Sequence, residues 1–192
     1  MFEESKKELE NFARYVIQQS RSNLTRDRGN RKYPNRNNTK NLYNSLDFNI
    51  EEEKGALLVE FLMADYGEFV DEGVRGANPN KLPKGARWKG IQKAPTSIYR
   101  FGTGSGKKGG LTRAIEKWVK QKNIKGRDTK TGRFITQKSM QYLIRRSIFL
   151  SGIRATQFFS KPFNKGQMKF FDAFEKAFAL DVEKGIILAT EK

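Results

Sequence analysis

Near the start of the chain apolar residues return every three to four positions, and Leu9, Phe12, Ala13, Val16 and Ile17 share one helical face. This predicts a helix over residues 5 to 23, with Ser5 and Glu8 placed to form a capping box. From Leu42 the period falls to two, through Leu46, Phe48 and Ile50, and a Glu-rich turn leads into the apolar run Ala56 to Met63. That pattern predicts a β-hairpin. A further strand through Phe69 and Val70 extends the sheet, ending at Gly73 and Gly76, where the backbone turns sharply. Helical spacing returns at Leu111, Ile115, Trp118 and Val119, and again at Met140, Leu143, Ile144, Ser147 and Ile148. The second of these has Thr136 as N-cap and Gly152 as stop. A last helix over about 167 to 183 carries Phe171, Phe174, Phe178 and Val182 on one face, beside Phe170, Ala173 and Ala177, chiefly as core against the sheet and first helix.

The predicted architecture is α+β: an N-terminal helix, a small antiparallel sheet and C-terminal helices, with a long basic insertion or arm. Residues 1–76 and 134–192 form the expected core. Residues 77–133, rich in Gly, Pro, Lys and Arg, form the expected insertion, with one short helix. Residues 25 to 41 have no apolar period and read as a basic loop.

Charge sharpens this division. The net charge is +17, which calls for a polyanion or an acidic partner to offset self-repulsion. Residues 21 to 40 carry seven Lys/Arg against Asp27, and residues 81 to 133 carry sixteen against Glu116 and Asp128. Residues 51 to 72 instead hold eight carboxylates and only Lys54.

The chain has neither Cys nor His, which excludes disulfides, thiolate metal sites, Cys nucleophiles and every His-based triad or zinc centre. No run approaches the roughly 18 apolar residues of a membrane span, and the first residues lack the basic and apolar regions of a signal peptide. A soluble protein made in the cytoplasm, with no membrane contact, is expected. Gly104 to Gly109 spells G-x-G-x-x-G before the helix at Leu111, but the buried parallel strand and βαβ unit of a dinucleotide fold are missing, so a glycine loop without cofactor is expected. A Walker motif fails, because Phe101 stands where its first Gly belongs and Lys108 where Ser or Thr is needed.

Two sets of residues remain. Asp65, Glu68, Asp71 and Glu72 would alternate across a strand and match no metal-loop spacing, so with Tyr66 and Phe69 they are read as a subunit edge. Arg26, Arg28, Arg31, Lys32 and Arg36 in the first basic loop, and Lys84, Arg87, Lys89, Lys107 and Lys108 in the second, suit phosphate contacts without base readout. No helix-turn-helix, finger or RNP signature accompanies them, so DNA and an acidic protein partner both remain open.

Several short motifs together resemble the neck or tail-completion proteins of tailed bacteriophages. Leu42 and Ser45 look like that family's strand entry; Tyr66, Phe69, Val70 and Gly73 look like its central strand; Pro162-Phe163 looks like its final turn. Trp118 to Ile124, Ile144 to Ile148 and Gly152-Ile153 resemble the course of its longer members. The resemblance covers residues 5 to 24, 42 to 76 and 134 to 184. It implies a non-enzymatic virion protein of the head-to-tail neck, without cofactor or metal. It further implies a homo-oligomeric ring of six or twelve copies between portal and tail, with adjacent neck or tail proteins as partners and DNA passing through the lumen. The alternative is a basic accessory protein that binds nucleic acid without sequence preference.

Overall fold

The computed structural model describes residues 2–25, 40–53, 55–104, 109–128 and 131–190. The fold is mixed α and β, as expected, and the chain divides into two compact units: residues 1–71 with 157–192, and residues 72–156.

In the first unit, helix α1 (Glu3–Thr25) buries Leu9, Phe12, Ala13, Val16, Ile17 and Leu24 along one stripe. It begins earlier than the capping-box reading places it. Ser5 lies inside the helix, and the first-turn donors are satisfied by Asp181, whose carboxylate accepts from Glu4 N (3.1 Å), Ser5 N (2.8 Å) and Ser5 Oγ (2.7 Å). Leu42, expected in a strand entry, sits in the short helix α2 (Asn41–Ser45), which Ser45 ends by accepting from Ala64 N at 3.0 Å.

Strands β1 (Asp47–Glu53) and β2 (Ala56–Leu62) form the expected antiparallel hairpin, with Phe48 opposite Phe61 and Ile50 opposite Val59. These four residues are half-buried, and their outward neighbours are exposed. The strand predicted through Phe69 and Val70 is instead helix α3 (Gly67–Asp71). Gly67 has Met63 and Leu42 where a Cβ would lie, and Gly67 N donates to Ala64 O at 2.7 Å. A β-prone Phe-Val pair yields here to tertiary packing, because Val70 reaches the core cluster by turning helically.

Helix α6 (Ser160–Thr190) runs antiparallel to α1 and is longer at both ends than its apolar period indicates. Pro162, expected in a turn, is accommodated in its first turn, where a missing N–H costs no helical hydrogen bond. Asp71 caps this end: it accepts from Phe159 N at 2.8 Å and from both the amide and the hydroxyl of Ser160. Gly166 allows the two long helices to approach, since a Cβ there would meet the rings of Tyr15 and Phe12 at 3.0 to 3.1 Å. Phe12, Phe61, Phe159, Phe163 and Phe170 then pack ring against ring, with centroids 4.8 to 6.2 Å apart.

The second unit has a smaller apolar core, including Val74, Leu82, Ala94, Ile115, Val119 and Leu150. Its centre is the short antiparallel ladder of β3 (Val74–Arg75) and β4 (Gly152–Ile153). A further segment joins it: Arg75 N donates to Tyr99 O at 2.8 Å and Phe101 N to Arg75 O at 2.9 Å. Helices α4 (Gly110–Gln121) and α5 (Gln137–Ser151) pack together. Thr136 caps α5 by accepting from Ser139 N, and Gly152 ends it at φ 88, both as expected. A side chain at Gly152 would also overlap the Val74 carbonyl. The expected arm, over its described residues 77–104, 109–128 and 131–133, is part of this folded unit together with α5.

Candidate functional site

The unit boundary separates the charge. Residues 72–156 hold 21 Lys/Arg against Glu72, Glu116 and Asp128, a net +18, while the remaining 107 residues hold 17 Lys/Arg against 18 carboxylates, a net −1. A chain of net charge +17 is therefore one nearly neutral unit and one strongly cationic unit.

Within the cationic unit three charges meet on one ring. The guanidinium carbon of Arg87, the Nζ of Lys93 and the guanidinium carbon of Arg154 lie 5.0, 5.1 and 5.7 Å from the centroid of Trp88. Backbone hydrogen bonds place each contributor. Turns carry Trp88, with Lys89 N donating to Ala86 O at 3.0 Å and Ile91 N to Trp88 O at 3.1 Å. Gln92 brackets Gly76, accepting from its N at 2.8 Å and donating to its O at 2.9 Å, and Lys93 N donates to Ser151 O at 3.0 Å. Arg154 follows β4 directly. Among the described residues none of the three cations has a carboxylate at ion-pair distance. Burial, and then the charge of Arg154, push the Lys93 ammonium below its ordinary pKa. Lys84 and Lys89 are exposed on the same turn-rich segment. Arg26, Arg28, Arg31, Lys32, Arg36, Lys107 and Lys108 lie outside the described residues. Arg154 had no local signal in the sequence, because more than sixty positions separate it from Trp88.

The proposed acidic edge is divided by the fold. Asp65, Tyr66, Glu68 and Phe69 are exposed at the start of α3, whereas Glu72 belongs to the second unit. Asp71 is only 6% exposed and its carboxylate is engaged as the α6 cap. Burial raises its pKa, and the amides of Phe159 and Ser160 pull against that rise. A different acidic surface is present on the hairpin. Asp47, Glu51, Glu53 and Glu60 all point to its outward face, beside exposed Leu58 and Leu62.

Helix α6 adds an apolar surface that the sequence reading assigned chiefly to core. Gly166, Ala177 and Asp181 face α1, but Met168, Phe171, Phe178, Val182 and Ile186 recur on another side of the helix and are 43 to 77% exposed. Ile187 and Leu188 continue the exposed apolar character to the helix end. An open groove of about 680 Å³ beside α1 is lined by Arg14, Ile17, Arg21, Tyr43, Asp47 and Phe48. Arg21 is committed there to structure, donating to Leu46 O at 2.7 Å and Tyr43 O at 3.3 Å. Among the described residues no cluster of three or more His, Cys, Asp or Glu side chains could hold a metal ion, and no helix is long and apolar enough to cross a membrane. No protein-family model, curated protein or solved structure matches the chain.

Proposed function

We propose that this chain is a structural subunit of the head-to-tail neck of a tailed bacteriophage, assembling into a homo-oligomeric ring that joins portal to tail and lets DNA pass. The observation that carries the proposal is the second apolar face of α6. Contiguous exposed apolar surface of this kind is uncommon on monomers and marks interaction sites. A second copy of the chain is the occupant we assign to it. Charge supports that choice: a nearly neutral unit with an acidic hairpin face and a unit of net +18 favour head-to-tail contacts between copies, and heterologous contacts of that kind form a ring when the rotation between copies closes. The resemblance of the short sequence motifs to those of neck and tail-completion proteins suggests the biological setting. The work is physical: subunit contacts and binding order drive assembly, with no bond made or broken.

The test is the mass of nuclease-treated protein in solution by light scattering or native mass spectrometry. A discrete mass of several copies is expected, and Phe171→Glu with Val182→Glu should reduce it to one. A nuclease-treated protein that stays monomeric at every concentration, alone and with portal, overturns the ring reading. Heterogeneous complexes that collapse to monomer on nuclease treatment favour the nucleic-acid-binding accessory protein instead.

A further inference from the structure

We infer that Arg87, Lys93 and Arg154, gathered on Trp88, form a binding site for the phosphate backbone of duplex DNA, read without base contacts. The inference stands on the second unit alone and does not depend on ring formation.

Three like charges within 5.7 Å of one centroid repel each other, and among the described residues no carboxylate pairs with them. Cation–π attraction offsets part of that repulsion, on the order of 0.5 to 1 kcal/mol for each exposed contact. Burial is the larger cause of the lowered pKa of the half-buried Lys93 ammonium, and the charge of Arg154 adds to it. A bound anion offsets the repulsion among the three cations and favours the charged form of Lys93. The two guanidinium groups offer planar donor forks matched to phosphate oxygens, and Lys93 supplies a point charge beside them.

The density of charge identifies the anion. Across the whole unit, 21 cations face three carboxylates, an excess that one acidic side chain or a free phosphate ion leaves largely uncompensated. Duplex DNA carries about one negative charge per 1.7 Å of axis and meets a broad cationic surface phosphate by phosphate. Trp88 serves here as the anchor that gathers the cations. With three of them against its ring, it is not a free stacking platform for an unpaired base of the kind single-strand binders present. The site therefore reads charge spacing and not sequence.

The test is fluorescence anisotropy of the full-length protein with a labelled mixed-sequence duplex, titrated between 50 and 200 mM NaCl. The cluster variant is Arg87→Gln, Lys93→Met and Arg154→Gln, in which Met keeps the packing of the Lys93 stem against Trp88. The control variant is Lys117→Gln, Lys125→Gln and Lys138→Gln, which removes the same charge from exposed positions. Each phosphate contact contributes about 0.9 to the salt slope, so over this fourfold salt range wild-type affinity should fall about 40-fold further than that of the cluster variant. The control should keep a slope within about one contact of wild type. Equal slopes for the two variants would show that total charge alone binds DNA and would overturn the site. Poly-glutamate binding as tightly as duplex would overturn the choice of ligand in favour of an acidic protein. If the cluster variant fails to fold, exposed Arg154→Gln alone should lower the slope by about 0.9, and an unchanged slope overturns the proposal. Failure here with an intact ring mass would leave the assembly reading standing.

Discussion

The two units of this chain reach order by different routes. The first buries a stripe of α1 against α6 and the hairpin, with five interlocked phenylalanines at the centre and a net charge of only −1. The second carries +18, and its position-setting contacts are largely backbone hydrogen bonds around a two-residue ladder, with Gly152 placed where no side chain fits. Burial of apolar surface is tolerant of moderate charge, so the first unit needs no partner anion to be compact. The second unit retains self-repulsion that a polyanion relieves. One half is held mainly by apolar burial, and the other concentrates the positive charge of the chain.

The contrast is sharpest at Phe158, which is 1% exposed in the first unit's core cluster. Phe158→Ala should cost about 3 to 5 kcal/mol, read as a lower urea midpoint by circular dichroism. A loss under about 1 kcal/mol would remove the claim that burial holds this unit together. Gly152→Ala should come next, at about 2 kcal/mol or more, because the positive φ and the overlap with the Val74 carbonyl strain the ladder together. Its signature is faster hydrogen exchange at the Ala77 and Lys93 amides, and unchanged protection there would mean that the ladder is not what pins this unit.

The caps give a smaller effect with a pH signature. Asp181→Ala should cost about 1 to 2 kcal/mol by leaving Ser5 and the first α1 amides without their acceptor. Desolvation pushes the Asp181 carboxyl up, but the Ser5 hydroxyl and the Ser5 and Glu4 amides outweigh it and hold the pKa below its ordinary value. Its contribution is therefore present above the unfolded pKa of about 3.9 and lost as pH falls through the lower folded value. Asp71 has the opposite sign. Its pKa is raised by burial, so its contribution is fully present below about pH 3.9 and lost as pH rises through the folded value. Urea midpoints between pH 2 and 6 should show Asp181→Ala flattening the acid limb and Asp71→Asn removing a decline on the rising side. Matching profiles for the two variants would contradict this assignment. Salt should have the smallest effect: raising NaCl from 50 to 500 mM should slow exchange in β3 and β4 more than in α1, because screening relieves repulsion only where charge is concentrated. Equal responses would break the electrostatic half of the comparison.

Local rules reached a good part of this structure. The apolar period located α1, α4 and α5, alternation located the hairpin, and Thr136 and Gly152 marked the ends of α5, since each of these signals acts over a few residues. Asp181 left a readable trace, an acid four residues after Ala177 on the buried face of α6, and that trace is the one that would have indicated a distant cap. Phe69 and Val70 misled because strand propensity reports how a side chain fits a sheet, and the helical turn that brings Val70 to the core depends on Gly67 meeting Met63 and Leu42. Helix periods, the hairpin, the acidic and basic blocks and the absence of Cys and His chemistry were thus determined by the sequence alone. The tertiary structure decided the two aspartate caps, the second apolar face of α6 and the meeting of Arg87, Lys93 and Arg154 on Trp88. The caps and the cation cluster need side chains tens to nearly two hundred residues apart to share one place, and which face of α6 stays exposed depends on how α1 packs against it, so no local periodicity carries that information.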